Sequence, residues 1–254
     1  MSLFDLSGKV AIITGSTRGI GRSIAEQMAV QGAKVVISSR NQDACDEVAA
    51  AINAAHGDNT AIAIAASISS REALQELVDR TLAAFGKIDI LVCNAAINPY
   101  YGSMTGISDE QFRKILDSNI VSNHWLAQMV LPGMIAQKDG AIVIVSSIGG
   151  LRGSPTIGAY CISKAADFQL ARNYAVEYGK HNIRTNCVAP GLVKTDFAKA
   201  LWDNPQAAEQ YNTTHPMRRM GEPDDLAGAA ILLAAPAGRY INGQVIVVDG
   251  GSTI

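Results

Sequence analysis

Charge is scarce in this 254-residue chain: Asp, Glu, Lys and Arg make up 17 % of it, and the formal net charge is −2. So even a balance supplies no basic stripe for nucleic acid and none for an anionic membrane. Aromatic residues are also few, at 6 %, whereas hydrophobic residues reach 48 %, which excludes a disordered chain and provides for a sizeable core. No apolar run approaches the roughly 18 residues that cross a bilayer. The longest, residues 226–237, reads as a buried helix. The opening MSLFDLSGK has neither the basic nor the apolar region of a secretory leader. Cys45, Cys93, Cys161 and Cys187 lie far apart with no C-x-x-C pair, as expected of buried thiols in a reducing compartment. The expected location is therefore cytoplasmic. His56, His124, His181 and His215 are isolated, without the spacing of a metal site, so no metal is expected.

What the chain does have is rhythm. Residues 9–14 (KVAIIT), 34–38 (KVVIS), 88–93 (IDILVC), 141–146 (AIVIVS), 183–188 and 244–248 are short aliphatic runs, and 61–65 is a weaker one. Such runs, rich in β-branched residues, suit strands buried on both faces. Helical periodicity fills the intervals at 22–31, 44–55, 71–85, 109–136, 156–178 and 224–235, with a bend expected near Pro132. Strand–helix alternation with short loops predicts an α/β Rossmann fold: a doubly wound parallel sheet of about seven strands with helices on both faces. No linker or repeat divides residues 1–254, so one domain is expected. The stretch 192–220 breaks the rhythm, and a connection that long reads as a substrate loop or lid.

The first strand runs directly into Gly15-Ser16-Thr17-Arg18-Gly19-Ile20-Gly21 and then a helix. Small residues let backbone approach a pyrophosphate, and the free amides of a helix N-terminus face the anion. The spacing is G-x-x-x-G-x-G, and its position between first strand and first helix gives it weight as a dinucleotide site. The end of the second strand then chooses the cofactor. A carboxylate there accepts hydrogen bonds from the adenosine ribose of NAD and repels the 2′-phosphate of NADP. This chain has Ser38-Ser39-Arg40 instead, and Arg18 can reach the same phosphate from the glycine turn. NADP is the expected cofactor, with NADPH preferred over NADH.

Taken with Tyr160-Cys161-Ile162-Ser163-Lys164, the glycine turn resembles that of the short-chain dehydrogenase/reductase family. The likeness spans essentially the whole chain in order: Asn94-Ala95-Ala96, Asn119, Ser146-Ser147, Pro190-Gly191 and Val248-Asp249-Gly250-Gly251. In detail the chain is similar to the NADP-dependent carbonyl reductase and 3-oxoacyl-carrier-protein reductase branch. Tyr160 and Lys164, four residues apart, share a helix face. A phenol works near neutral pH only where something favours its ionised form, and a neighbouring ammonium does so. The resemblance implies that Tyr160 is the general acid/base, that Lys164 also binds the nicotinamide ribose, that Ser147 binds the substrate oxygen and that Asn119 holds a relay water. It further implies that Pro190, Gly191, Val193 and Thr195 flank the nicotinamide and that Asn94 lies beneath the adenosine ribose. Helices 109–136 and 156–178 resemble those through which relatives form homotetramers.

Three positions depart from the family pattern: Ala96 adds a methyl where glycine is usual, Ser67 stands where an Asp often bonds the adenine, and Ser39 stands where the second strand often ends in an acid. An apolar pocket is expected from Asn98, Pro99, Tyr100, Tyr101, Leu151, Leu192, Phe197, Leu201, Trp202 and Tyr211. The expected activity is interconversion of a small ketone or aldehyde with its alcohol. Reduction of a 3-oxoacyl thioester stays open, because Lys194, Lys199, Arg218 and Arg219 lie around the lid, where an acidic carrier would want a basic patch. A non-catalytic NADP-binding sensor is the competing class; such proteins tend to lose the tyrosine or lysine, and both are here.

Overall fold

The computed structural model describes residues 2–254, and of Ala200, Leu201 and Ala207 the backbone alone. Its strands are β1 (Val10–Thr14), β2 (Lys34–Ser38), β3 (Ala61–Ala63), β4 (Ile90–Cys93), β5 (Gly140–Val145), β6 (Ile183–Pro190) and β7 (Val245–Val248). They form one sheet in the order β3-β2-β1-β4-β5-β6-β7, and every pairing is parallel. Every residue of β1 and of β5 is buried, as a sheet covered on both faces requires.

Period-two alternation divides the core. Ala11, Ile13, Val35 and Ile37 face α1 (Gly19–Val30), α2 (Gln42–His56) and the late helix α9 (Asp224–Ala234), meeting Ile24, Met28, Val48 and Leu226. Ile12, Val36 and Leu91 face α3 (Arg71–Phe85), α5 (Ser122–Gln137) and α6 (Gly158–Tyr178), meeting Leu74, Leu77, Leu126, Met134 and Phe168. Each such aliphatic side chain, fully buried, contributes roughly 1.5–3 kcal/mol. Local signals set the helix limits. Asn41 caps α2 by accepting from Ala44 N at 3.0 Å, and Ser70 caps α3 from Ala73 N at 3.1 Å. Gly86 ends α3 in the left-handed region at φ 76°.

Four expectations need adjustment. β4 starts at Ile90, two residues late, because the buried Asp89 carboxylate accepts from Val10 N at 2.8 Å and pairs with Lys9 and Lys87. β3 spans three residues, after which Ala65 N turns to the Gln42 side chain at 2.9 Å. The irregularity expected near Pro132 lies earlier: α4 (Asp109–Leu116) passes through a π-helical turn at Asp117–Val121 into α5, which carries Pro132 inside it. The stretch 192–220 is largely helical, with a short turn at Asp196–Ala198, α7 (Lys199–Trp202) and α8 (Pro205–Thr214). Its roots are fastened by Lys194 N to Gly221 O (2.9 Å), Gly221 N to Leu192 O (3.0 Å) and a buried His215 whose Nε2 meets Asp249 O at 2.8 Å. Among the described residues no helix is long and apolar enough to cross a membrane.

Candidate active site

Strand order reverses between β1 and β4, and a crevice opens there beyond the carboxyl ends of the strands. It is a cleft of about 850 Å³ lined by the glycine turn, the ends of β2, β4, β5 and β6, the start of α6 and part of the stretch 192–220. The glycine turn depends on its neighbours. Gly15 and Gly19 have positive φ (63° and 56°), which favours glycine. Asn94 Nδ2 donates to Thr14 O (2.9 Å) and Gly15 O (3.1 Å), while Thr14 Oγ1 accepts from Asn94 N (3.0 Å) and Ala95 N (3.1 Å). Arg18 starts α1 without a side-chain cap, which leaves the first amides of the helix for an anion.

At the far end of the cleft Ser39, Arg40 and Ser67 line the wall. Arg40 has no carboxylate partner among the described residues, whereas Arg18 Nη1 meets Asp196 Oδ2 at 3.0 Å, so a bound phosphate would share it with that carboxylate. Ala95, Ala96, Ile20, Pro190, Gly191, Val193 and Thr195 also line the cleft. Three expected contacts do not. Ser16 is buried and donates from Oγ to Ile13 O at 2.7 Å, Gly21 packs against Asn94, and Thr17 is outside the lining. Ser16 and Gly21 support the turn from within.

Tyr160 and Ser147 face the same cleft, with the Tyr160 ring 5.9 Å from that of Phe197. Tyr160 lies in the first turn of α6, and Lys164, one turn on, sets its Nζ 5.7 Å from the tyrosine ring centroid. Burial pushes the Tyr160 phenol above its usual range, against the opposing pull of Lys164 and Ser147. The expected lowering by Lys164 is present, and burial outweighs it. Lys164 is 2 % exposed and donates from Nζ to Val145 O at 3.0 Å and Asp167 Oδ2 at 3.1 Å. Burial alone would lower its pKa, but the groups beside it, the Asp167 carboxylate foremost and Tyr160 next, together leave it raised.

Asn119 sits on the π-helical turn, fully buried behind the cleft. Its Nδ2 donates to Ile97 O and Ser163 Oγ, both at 3.0 Å, and its Oδ1 accepts from Ile97 N at 2.9 Å. π-Turns of this kind often mark functional sites. Of the expected pocket, Asn98, Tyr101, Leu192, Phe197 and Tyr211 line the cleft, while Pro99, Tyr100, Leu151 and Trp202 do not. The Leu201 side chain lies outside the described residues. Cys161, beside the tyrosine, also lines the cleft, as does Arg152, which sequence reasoning missed together with Asp167 and Asn123 behind it. A carboxylate three residues after a lysine on a helix was the available signal for Asp167.

A crevice at the switch point of a parallel sheet, with an uncapped helix N-terminus on one wall and a tyrosine–lysine pair on the other, is that of a dinucleotide-dependent oxidoreductase. Residues 15–253 match the family model described as Enoyl-(Acyl carrier protein) reductase. Dehydrogenase/reductase SDR family member 4 of Rattus norvegicus is 38 % identical over 248 residues, covering 97 % of this chain and 88 % of that protein. A gluconate 5-dehydrogenase from Burkholderia cenocepacia, solved with NADP and tartrate, superposes with a TM-score of 0.93 at 31 % identity over 99 % of this chain and 97 % of that one. A 7α-hydroxysteroid dehydrogenase complexed with NADH and 7-oxo glycochenodeoxycholic acid gives 0.93 at 36 % identity, over 98 % and 96 %. The chain belongs to the short-chain dehydrogenase/reductase family, nicotinamide-dependent oxidoreductases acting on CH–OH and C=O groups.

Proposed function

We propose that the protein is an NADPH-dependent reductase of small free ketones or aldehydes, with the lid 192–220 closing over the substrate. The observation that carries this reading is Tyr160 facing the cleft beside Ser147, with the buried Lys164 one turn along the same helix. A nicotinamide bound along the cleft supplies the hydride. Tyr160 delivers its proton to the carbonyl oxygen, Ser147 donates a hydrogen bond to the same oxygen as charge develops, and the Lys164 ammonium stabilises the phenolate left behind. Asn119 holds Ile97 and Ser163 in position behind this pair. Turnover followed at 340 nm over a panel of ketones, aldehydes, diketones and acetoacetyl-CoA, with NADPH and NADH side by side, tests the reading. No turnover of any free carbonyl would overturn it.

The lid's charges favour a free carbonyl over a carrier-bound thioester. Lys194 pairs with Glu222 at 2.9 Å, Lys199 with Asp203 at 3.9 Å, and the two terminal Arg219 guanidinium nitrogens with Asp225. Of the four basic residues around the lid, that leaves the exposed Arg218 as the one without an ion pair among the described residues, which is little basic surface for an acidic carrier.

Ser39 and Arg40 in place of a carboxylate support NADPH over NADH. A guanidinium–phosphate hydrogen bond is worth about 1.5–3 kcal/mol, roughly ten- to a hundredfold. Arg40→Leu is therefore expected to raise KM for NADPH by about that factor and leave KM for NADH unchanged. Equal effects on both would refute the assignment of Arg40. A homotetramer fits the exposed Val176 (86 %) on α6 and Tyr240 (99 %) before β7. Light scattering should give about four times the chain mass; a monomer would refute that.

A further inference from the structure

We infer that Asp167 is a positioning residue for catalysis: its carboxylate keeps the buried Lys164 in the charged ammonium form on which the proposed Tyr160 chemistry depends. A lysine almost wholly removed from water tends to give up its proton, and documented cases do so near or below neutral pH. Nothing in the Tyr160–Lys164 spacing guards against this. Asp167 does, from one turn further along α6. It is 0 % exposed, and its Oδ2 accepts from Lys164 Nζ at 3.1 Å.

Burial pushes the Asp167 carboxyl above its ordinary range, and the Lys164 ammonium and the hydrogen bonds to both of its oxygens pull the other way, towards the ionised pair. Asn123 Nδ2 donates to Oδ1 at 3.1 Å, so donors face both carboxylate oxygens and neither is offered an acceptor for a proton. The same Asn123 Nδ2 donates at 2.7 Å to Asn119 O, on the π-helical turn. One amide therefore ties the carboxylate beneath Lys164 to the turn that carries Asn119. A buried ion pair costs more to desolvate than an apolar pair of the same size and is poor evidence for stability as such. Keeping a charge available in a dry site explains it better.

The other titratable groups around Lys164 do not replace Asp167. Tyr160 and Cys161 share α6, Cys93 approaches from β4 and Cys187 from β6. Burial holds all four above their ordinary pKa values, so each stays neutral at working pH. Cys187 donates from Sγ to Asp167 O at 3.5 Å and brings no charge. The Val145 carbonyl, on β5, accepts from Lys164 without being able to hold its proton as an anion does.

The sign of the effect follows. The pair acts in reduction with both Tyr160 and Lys164 protonated, and loses activity when either gives up a proton. Taking a negative charge from beside the pair lowers its macroscopic pKa whichever member ionises first. The test is Asp167→Asn, checked first for cooperative thermal unfolding. Lys164 is then titrated by reductive methylation with formaldehyde and cyanoborohydride, read by peptide mass spectrometry from pH 6 to 11, with the exposed Lys180 as internal reference. Only the neutral amine reacts, so the midpoint of rate against pH reports Lys164 directly. The midpoint is expected to fall by about one unit or more, with about tenfold faster labelling at neutral pH. The alkaline limb of NADPH-dependent 2,3-butanedione reduction is expected to move to lower pH with it.

Coincident Lys164 midpoints in parent and variant would overturn the proposal. Asp167→Leu, which removes the charge and fills the space, serves if the Asn variant does not fold. If neither folds, the carboxylate is a structural element and the proposal also falls. The labelling uses neither substrate nor cofactor, so a parent protein that reduces no carbonyl counts against the proposed activity and leaves Lys164 to decide this one.

Discussion

Tyr160→Phe is expected to reduce kcat for carbonyl reduction by about 10² to 10⁴, the range usual for a positioned general acid, while NADPH binding stays near the parent value. The substitution removes one hydroxyl and keeps the ring, which is 9 % exposed and lies 5.9 Å from that of Phe197. Packing is therefore conserved, and the lost function is the proton and the hydrogen bond. Steady-state kinetics with fluorescence titration of NADPH separates the two quantities. A variant with parental kcat would remove Tyr160 from the chemistry, and one that lost NADPH binding in proportion would make it a binding residue.

Gly21→Ala is expected to cost stability and cofactor affinity together. A Cβ there would lie 2.4 Å from Asn94 Nδ2 and from Gly15 O, both backed by the bonds that shape the turn. Asn94 cannot yield without releasing Thr14 O and Gly15 O, and the Gly15 carbonyl is backbone. Overpacking of this kind costs about 1–3 kcal/mol, and the displaced turn also moves the amides offered to a phosphate. Gly228→Ala is the control. It lies inside α9 with nothing within 4 Å of a new Cβ, and is expected to gain up to about 1 kcal/mol from helix propensity. Urea unfolding of the three proteins decides. Equal midpoints for Gly21→Ala and the parent would show that the turn accommodates a methyl group.

The fold was legible because its signals are local and repeated. β1 and β5 read as strands because the residues that bury on both faces are the ones a parallel sheet needs, and the caps Asn41, Ser70 and Gly86 lie where the periodicity stops. The adjustments come from tertiary bonds that sequence period does not encode. Asp89 turned a strand position into an anchor for Val10, and the π-helical turn reflects the side-chain partners of Asn119 and Asn123. Pro132 drew the eye and sits within α5 without interrupting it.

Of the candidate site, the cleft-lining residues were chosen by spacing and resemblance, and Ser147, Tyr160 and Lys164 do converge on it. Ser16 and Gly21 belong to the same motif, but face inward to support the turn. The direction of the Tyr160 shift could not be read from the sequence. It depends on how much water burial removes, and the charge of Lys164 on how close Asp167 stands.

The bonds from Thr14 and Asn94 join the ends of β1 and β4 directly beneath the crevice. Two strands pinned in this way cannot splay or pinch, so the width of the floor is set before any ligand arrives. Little conformational entropy is then lost there on association. The adaptable boundary of the site is the opposite wall, where the Arg18–Asp196 pair is solvent-exposed and open to exchange. Variation among substrates would therefore be accommodated by residues 192–214, with the phosphate-binding floor left unaltered.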